Sequence, residues 1–196
     1  MHHTPTPRDD RARRVVFAWI AAGAIAVVSA AVLETGRASL QSAALCFFAV
    51  GIFITTRYIF TSFSYSVEPR SFDRPDDGTV TAADVGAFHV RHLPPSEMDF
   101  VVHKSQGQRQ GIIEARLSMA ELTYFAPLPR EGGRKREAFR LHPDMRVYNY
   151  TVSYRPEGQY IAVFTDSAEN VIGVIFEPDG QMADYFADTA AKNGMK

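Results

Sequence analysis

The sequence predicts an α+β protein: an N-terminal transmembrane helical hairpin, followed by a mostly antiparallel β-barrel or sandwich with a C-terminal helix. Two long apolar runs, 15–33 and 40–60, lie near the start of the chain. From Thr61 onward, apolar and polar residues alternate, which is typical of half-buried strands. At the end, apolar residues recur at helical spacing. These patterns divide the chain into an N-terminal tail (1–14), the hairpin (15–60) and the β domain (61–196).

The two apolar runs predict membrane spans. The first, 15–33, contains no charged residue, and as a helix it would extend about 28 Å. That length matches the roughly 30 Å hydrocarbon core of a bilayer. A secretory signal peptide also places basic residues before an apolar core, but a cleaved signal would leave the second run, 40–60, unexplained. The pair therefore predicts an uncleaved hairpin with a tight turn at Gly36.

Charged residues at the ends of the hairpin predict its orientation. The turn carries only Arg37 beside Glu34, whereas several arginines flank the outer ends. Because basic residues favour the cytoplasmic side, we expect a multi-pass protein of the cell membrane with both termini in the cytoplasm. Arg57 and Tyr58 are expected to reach the lipid headgroups. The flanking arginines are Arg8, Arg11, Arg13 and Arg14 before the first run, and Arg57, Arg70 and Arg74 after the second.

Seven short strands are predicted in the β domain. The connections between the last three are short, which predicts an antiparallel meander. Alternation in the strand at 147–154 places Tyr148, Tyr150 and Tyr154 on one face, which we expect to pack on the C-terminal helix. The predicted strands are 60–68, 98–103, 111–117, 122–126, 147–154, 160–165 and 171–177.

Two further segments complete the domain. The segment 72–95 is rich in turn-forming residues; it is either irregular or opens a short helix at Thr81 as an N-cap. The C-terminal helix is predicted at about 180–193, with Asp179 as its N-cap and Asn193 followed by glycine as its stop. Its apolar stripe consists of Met182, Tyr185, Phe186, Thr189 and Ala190.

The order of these elements, short strands closed by one amphipathic helix, resembles the bacterial pleckstrin-homology-like domain. A transmembrane hairpin placed before such a domain is similar to small membrane proteins of Gram-positive bacteria. The segment 72–95 departs from the compact first hairpin of that domain. Members of this group generally lack catalytic residues, so the resemblance implies binding or scaffolding.

Two basic groups are candidates for contacts with phosphate or anionic lipid. Lys104 and Arg109 bracket the first strand hairpin, and the resemblance implies that the corresponding loop of lipid-binding members holds phosphate groups. The second group lies in a loop that the hairpin would tether near anionic headgroups. For both groups, a solvated surface loop remains the alternative. The second group consists of Arg130, Arg134, Lys135 and Arg136.

The histidines and the single cysteine provide no catalytic or metal motif. His89 and His92 have a spacing that lacks the cysteines or second fixed pair of a zinc site, so we predict no metal and no cofactor. Cys46 lies in an apolar run and is interpreted as a membrane residue rather than a nucleophile. If the chain were a small membrane enzyme, His103 or His142 would be its general base.

The sequence therefore predicts a non-enzymatic, membrane-tethered interaction or scaffolding module. A sensor of anionic lipid headgroups is the alternative, and a small membrane enzyme is a further one. The formal net charge of −1 gives no field that would attract nucleic acid. Expected partners are the lipid bilayer and another membrane or cytoplasmic protein. Small residues along both spans also leave a homo-oligomer through the hairpin open.

Overall fold

The computed structural model describes residues 1–5, 11–33, 36–70, 94–106, 111–128 and 142–194, which form three α-helices and eight strands. The helices are α1 (Arg11–Val32), α2 (Arg37–Thr55) and α3 (Gly180–Asn193). The strands are β1 (His2–His3), β2 (Thr61–Pro69), β3 (Met98–Gln106), β4 (Ile112–Ser118), β5 (Leu122–Pro127), β6 (Arg146–Asn149), β7 (Tyr160–Thr165) and β8 (Val171–Phe176). The predicted order of a helical hairpin, a β-rich region and a C-terminal helix is confirmed.

The two helices of the hairpin approach closely at small residues. At Gly23, the ring of Phe48 lies so near that an added Cβ atom would come within 2.9 Å of it. Gly36 turns the chain with a φ of 79°, as predicted, and this left-handed conformation favours glycine. Both α1 and the helical segment Arg37–Phe60 are long and apolar enough to cross a membrane, as judged by length and composition.

The first sheet begins directly at the end of the hairpin. α2 continues through a π-helical turn, Thr56–Phe60, into β2 at Thr61. The strand order of this sheet is β1-β2-β3-β4, with antiparallel pairing throughout. The second sheet has the order β5-β7-β8-β6. Within the described residues, the strands thus form two sheets that share one core rather than a closed barrel.

The core between the sheets is rich in aromatic rings, and α3 covers it. The ring centroid of Phe186 on α3 lies 5.1 Å from that of Phe100 and 5.3 Å from that of Phe176. Met182 and Thr189 are buried on the same side of the helix. Burial of these residues confirms the predicted apolar stripe.

Both ends of α3 also agree with the sequence. The Asp179 carboxylate accepts a hydrogen bond of 2.7 Å from the backbone N–H of Met182, as an N-cap does. The helix ends at Asn193, whose side-chain amide donates to the carbonyl oxygens of Met119 and Leu122 at 3.0 and 2.9 Å. Asn193 therefore also ties the helix to the turn that precedes β5.

The predicted antiparallel meander of the last three strands is wrong. β6 pairs parallel with β8, while β7 lies between β5 and β8 and is antiparallel to both. The strand predicted at 147–154 ends at Asn149 instead. The N–H of Tyr150 still donates to the carbonyl oxygen of Ile175, but the following N–H groups bond to side chains. The Asn149 carboxamide oxygen accepts from the N–H of Thr151, and the Glu177 carboxylate accepts from the N–H groups of Val152 and Ser153.

The tyrosines that alternation placed on one face differ in burial, although the rings of Tyr148 and Tyr150 stack with centroids 6.3 Å apart. Tyr148 is 45% exposed, whereas Tyr150 is buried in the core. The tyrosines of this segment therefore do not form the common face against α3 that was predicted.

Most of the segment 72–95, including the predicted N-cap Thr81, lies outside the described residues. Its two flanks are held together. Pro69 pairs with Met98 across β2 and β3, and the N–H of Arg70 donates to the carbonyl oxygen of Glu97 at 2.6 Å.

Candidate functional site

Arg57 organises the junction between the hairpin and the β domain. Its guanidinium donates to the carbonyl oxygens of Asn149 at 2.8 Å and Thr151 at 3.1 Å. The same group lies 4.9 Å from the ring centroid of Tyr58 and 5.0 Å from that of Phe63, where the aromatic quadrupole attracts a cation. Arg57 thus binds protein groups of the β domain, whereas its predicted contact with lipid headgroups stays a prediction.

A second segment next to the hairpin, β1, belongs to the first sheet. β1 pairs with β2, with His2 opposite Ser66 and His3 opposite Tyr65. The chain therefore leaves β1, passes through both helices and returns directly into β2. The hairpin is therefore connected to the first sheet at both of its chain ends, before α1 and after the π-helical turn.

Polar side chains gather on the face of the first sheet that points away from the core. Tyr65 and Val67 of β2 point into the core, so alternation places Ser66 and Glu68 on the opposite face. Although Ser66 points away from the core, it is only 2% exposed. We call this group the outer-face cluster; its members are Ser66, Glu68, Arg70, Asp99, His103 and Arg116.

Ser66 donates one hydrogen bond and accepts another within the cluster. The Ser66 hydroxyl donates to the Glu68 carboxylate at 2.7 Å, so its oxygen accepts from Nε2 of His103 at 3.2 Å. A serine nucleophile needs the reverse arrangement, in which the imidazole accepts the hydroxyl proton. Glu68 also lies on the same side of the ring, 3.7 Å from Nε2, and so does not orient the other ring nitrogen. The geometry stabilises a carboxylate and does not activate Ser66.

The carboxylate of Glu68 is strongly stabilised in its charged form. The interaction with His103 is the main cause that lowers the pKa of Glu68 to about 2, and the hydroxyl of Ser66 lowers it further. Partial burial opposes both effects. Burial also lowers the pKa of the neighbouring His2, and the charge of His103 acts in the same direction.

Asp99 forms the second half of the cluster. It is 4% exposed, and its carboxylate lies 3.0 Å from the guanidinium of Arg70 and 3.7 Å from that of Arg116. A buried carboxylate requires such partners, because an unpaired charge away from water is costly. The two arginines link β3 to the end of β2 and to β4.

The predicted anion contacts are only partly within the described residues. Lys104 lies on β3, and its ammonium is 3.4 Å from the carboxylate of Glu114 on β4. That carboxylate offsets the charge Lys104 would offer to a phosphate. The remaining candidates, Arg109, Arg130, Arg134, Lys135 and Arg136, lie outside the described residues.

The two candidate general bases, His103 and His142, lie at different sheets. His103 belongs to the outer-face cluster, whereas His142 precedes β6 at the edge of the second sheet. His89 and His92 lie outside the described residues. Within the part of the chain that the structure describes, no group of three or more His, Cys, Asp or Glu side chains could hold a metal ion. Cys46 is exposed on α2.

A shallow groove lies where the domain meets the start of α1. Its volume is about 690 Å³, and its lining includes His3, Arg11, Tyr154, Arg155 and Asp179. Groups of both signs line it, and Asp179 is already engaged as the N-cap of α3. The groove therefore has no single charge that would select an anion or a cation.

The outer-face cluster and the Arg57 junction were not predicted from the sequence. Ser66 and Glu68 occupy the polar positions of an alternating strand, which ordinarily indicates a solvated face. The available signal was the polar residues of β2 and β3, but recognising that Ser66 and Glu68 lie near His103 requires the register of the two strands. Comparison with protein-family models, curated proteins and solved structures finds no match to this chain.

Proposed function

We propose that the chain is a membrane-tethered interaction module, in which α1 and α2 cross the bilayer and hold the β domain at its cytoplasmic surface. The exposure of apolar side chains on the hairpin carries this proposal. Phe17 and Val32 are each 75% exposed and Leu45 is 71% exposed. A core helix of a soluble protein would bury such side chains, whereas lipid is a favourable environment for them.

The dimensions of the helices support the same interpretation. The helical segment Arg37–Phe60 has 24 residues, which corresponds to about 36 Å. A hydrocarbon core of roughly 30 Å leaves both ends of such a helix at the interfaces. The closely packed Gly23 and Phe48 are consistent with association through small residues, as in membrane helices.

The orientation follows from the distribution of arginines. Arg11, Arg13 and Arg14 begin α1 at the end next to the β domain, whereas Arg37 alone begins α2 beside the turn. The excess of basic residues favours a cytoplasmic β domain.

The role in interaction rests on how the domain is attached. A domain joined to its anchor through both β1 and β2 is confined close to the bilayer, and confinement raises its effective concentration toward other membrane components. The hydrogen-bond direction in the outer-face cluster favours a structural role for Ser66 and His103 over bond-making chemistry.

Topology is tested with reporters on the full chain. A fluorescent protein that folds only in the cytoplasm is fused after Lys196, and a periplasmic phosphatase is inserted after Gly36; both should be active. The matched control exchanges the two reporters, and both should then be inactive. Release of the unmodified chain by alkaline carbonate, or the reverse reporter pattern, would refute the proposed anchor.

The interaction role is tested in native membranes by proximity labelling. The full chain is compared with a control in which the same hairpin carries an unrelated β domain of similar size. We expect membrane proteins that are labelled only by the full chain and that recover it in reciprocal pull-downs. Identical labelled sets would contradict the proposal, as would substrate turnover by the reconstituted chain that is lost in a His103→Gln variant retaining the fold.

A further inference from the structure

Among its described residues, the β domain exposes few large apolar side chains. Among the described residues outside the hairpin, they are Ile112, Ile113 and Tyr148, which are 69%, 47% and 45% exposed. The other exposed large apolar residues belong to the hairpin, 15–60.

The strand register places the isoleucines near the end of α2. Ile112 on β4 pairs with Lys104 on β3, and Lys104 pairs with Phe63 on β2. Phe63 is only two residues beyond Thr61, where β2 begins directly after the helical segment. Two residues of strand correspond to about 7 Å. Ile112 and Ile113 therefore lie at the end of the first sheet that adjoins the hairpin.

Tyr148 lies at the same end of the domain, on the second sheet. The next residue, Asn149, accepts a hydrogen bond from Arg57 of the hairpin. The ring of Tyr148 stacks on that of Tyr150 at 6.3 Å, and the Tyr150 ring lies 5.3 Å from that of Phe63. The exposed apolar side chains of both sheets thus converge on the junction.

We propose that this end of the β domain, with Ile112, Ile113 and Tyr148, is seated in the headgroup layer of the bilayer. The inference rests on the proposed membrane anchor. Ile59 and Phe60 at the end of the hairpin are exposed as well, and β2 begins at the next residue, so the same lipid layer would reach the end of the first sheet. Two isoleucines and a tyrosine suit the boundary between acyl chains and headgroups.

The contact is apolar rather than electrostatic. The three side chains are uncharged, and the nearby Lys104 is paired with Glu114. Seating should therefore occur on zwitterionic lipid and persist at high salt, unlike attraction of basic residues to anionic headgroups.

A second copy of the chain is the competing occupant, because β4 is an edge strand. Glu114 and Arg116 follow the isoleucines on this strand, and charged side chains on an edge oppose strand pairing between molecules. Lipid is therefore favoured, and self-association becomes an outcome of the test.

The single tryptophan of the chain, Trp19 in α1, permits a direct test. The full chain is reconstituted in phosphatidylcholine nanodiscs whose acyl chains are brominated near the headgroups, since bromine quenches nearby tryptophan. Fluorescence is compared for the unmodified chain, for Trp19→Phe/Ile112→Trp and for Trp19→Phe/Ala120→Trp. Ala120 is exposed at the far end of β4, in the turn before β5, and serves as the matched control.

We expect emission from Trp19 and from the tryptophan at position 112 to be quenched to a similar extent, at low and high salt, and the control to be unaffected. Quenching of Trp19 without quenching at position 112 would overturn the seating while leaving the anchor intact. Absence of quenching at Trp19 would refute the anchor itself. Quenching at position 112 only with anionic lipid would replace the apolar contact by an electrostatic one. Loss of quenching at position 112 only in discs that contain two copies of the chain would assign this surface to self-association.

Discussion

At the scale of single residues, the outer-face cluster makes stability depend on pH through Glu68. The folded-state pKa of this carboxyl is about 2, below its ordinary value of 4.5. A depressed pKa contributes stability that is complete above the unfolded value and is lost as the pH falls through the folded value. We expect the unfolding free energy of the reconstituted chain to decrease between about pH 4.5 and 2, and we expect Glu68→Gln to flatten that decrease.

A second variant tests how far His103 contributes to the depressed pKa of Glu68. His103→Gln removes the main cause of the depressed pKa while keeping Glu68, so the decrease should be smaller and should end at a higher pH than in the unmodified chain. Denaturant unfolding at several pH values measures both effects. An unchanged pH profile in Glu68→Gln would show that this carboxylate is not the group responsible.

Arg57 is the second residue whose contribution can be isolated. Its two hydrogen bonds to the carbonyls of Asn149 and Thr151 join the hairpin to the second sheet. Charge-assisted hydrogen bonds contribute roughly 1.5–3 kcal/mol each, and water can replace part of this at the exposed Asn149. Arg57→Met should therefore lower the unfolding free energy of the β domain by about 2 kcal/mol.

Two comparisons make that prediction specific. Arg57→Lys should recover only part of the loss, because an ammonium does not present the forked donors of a guanidinium. Arg37→Met, at the start of α2 beside the turn, removes the same charge from the opposite end of the helix and should leave the domain unchanged. Equal losses from the Arg57 and Arg37 variants would argue for a general effect of charge.

At the scale of elements, the packing of α1 on α2 depends on a missing side chain. A Cβ at Gly23 would come within 2.9 Å of the Phe48 ring, and overpacking of this kind costs about 1–3 kcal/mol. Gly23→Leu should therefore lower the midpoint of thermal unfolding of the reconstituted chain. Ala24→Leu adds a similar side chain at an exposed neighbouring position and should have little effect. Equal midpoints in the two variants would contradict the close approach.

The elements that the sequence predicts well are those whose signals are local. The left-handed Gly36, the Asp179 cap and the apolar stripe of α3 each depend on residues within a few positions of one another. The parallel pairing of β6 with β8 and the early end of β6 were missed because both depend on groups distant in the sequence. Arg57 bonds to Asn149 from 92 residues away in the sequence, and Glu177 bonds to Val152 from 25 residues away.

The same distinction explains what was missed in the candidate site. Ser66 and His103 are 37 residues apart in the sequence and meet only through the register of β2 and β3. Lys104 was identified from its place in a polar hairpin, but its pairing with Glu114 depends on the register of β3 and β4. Residue type and local spacing thus indicated single candidates, whereas their partners follow from tertiary pairing.

At the scale of the whole molecule, the direct passage from helix to strand should determine how the β domain is held. The π-helical turn runs into β2 with no intervening linker, and β1 pairs with the same strand. A short Gly-Ser insertion between Phe60 and Thr61 removes this constraint on the α2 side but leaves the pairing of β1, β2 and β3 available. The domain should therefore remain folded while it gains freedom to move away from the bilayer.

The insertion is best examined in the Trp19→Phe/Ile112→Trp chain in brominated nanodiscs. Quenching at position 112 should fall markedly, because a flexible connection no longer fixes the end of the first sheet at the headgroups. The same insertion after Gly36, at the opposite end of the hairpin, should leave the quenching unchanged. If the insertion after Phe60 also leaves it unchanged, the apolar side chains hold the domain on the bilayer by themselves, and the rigid junction is not required for its orientation.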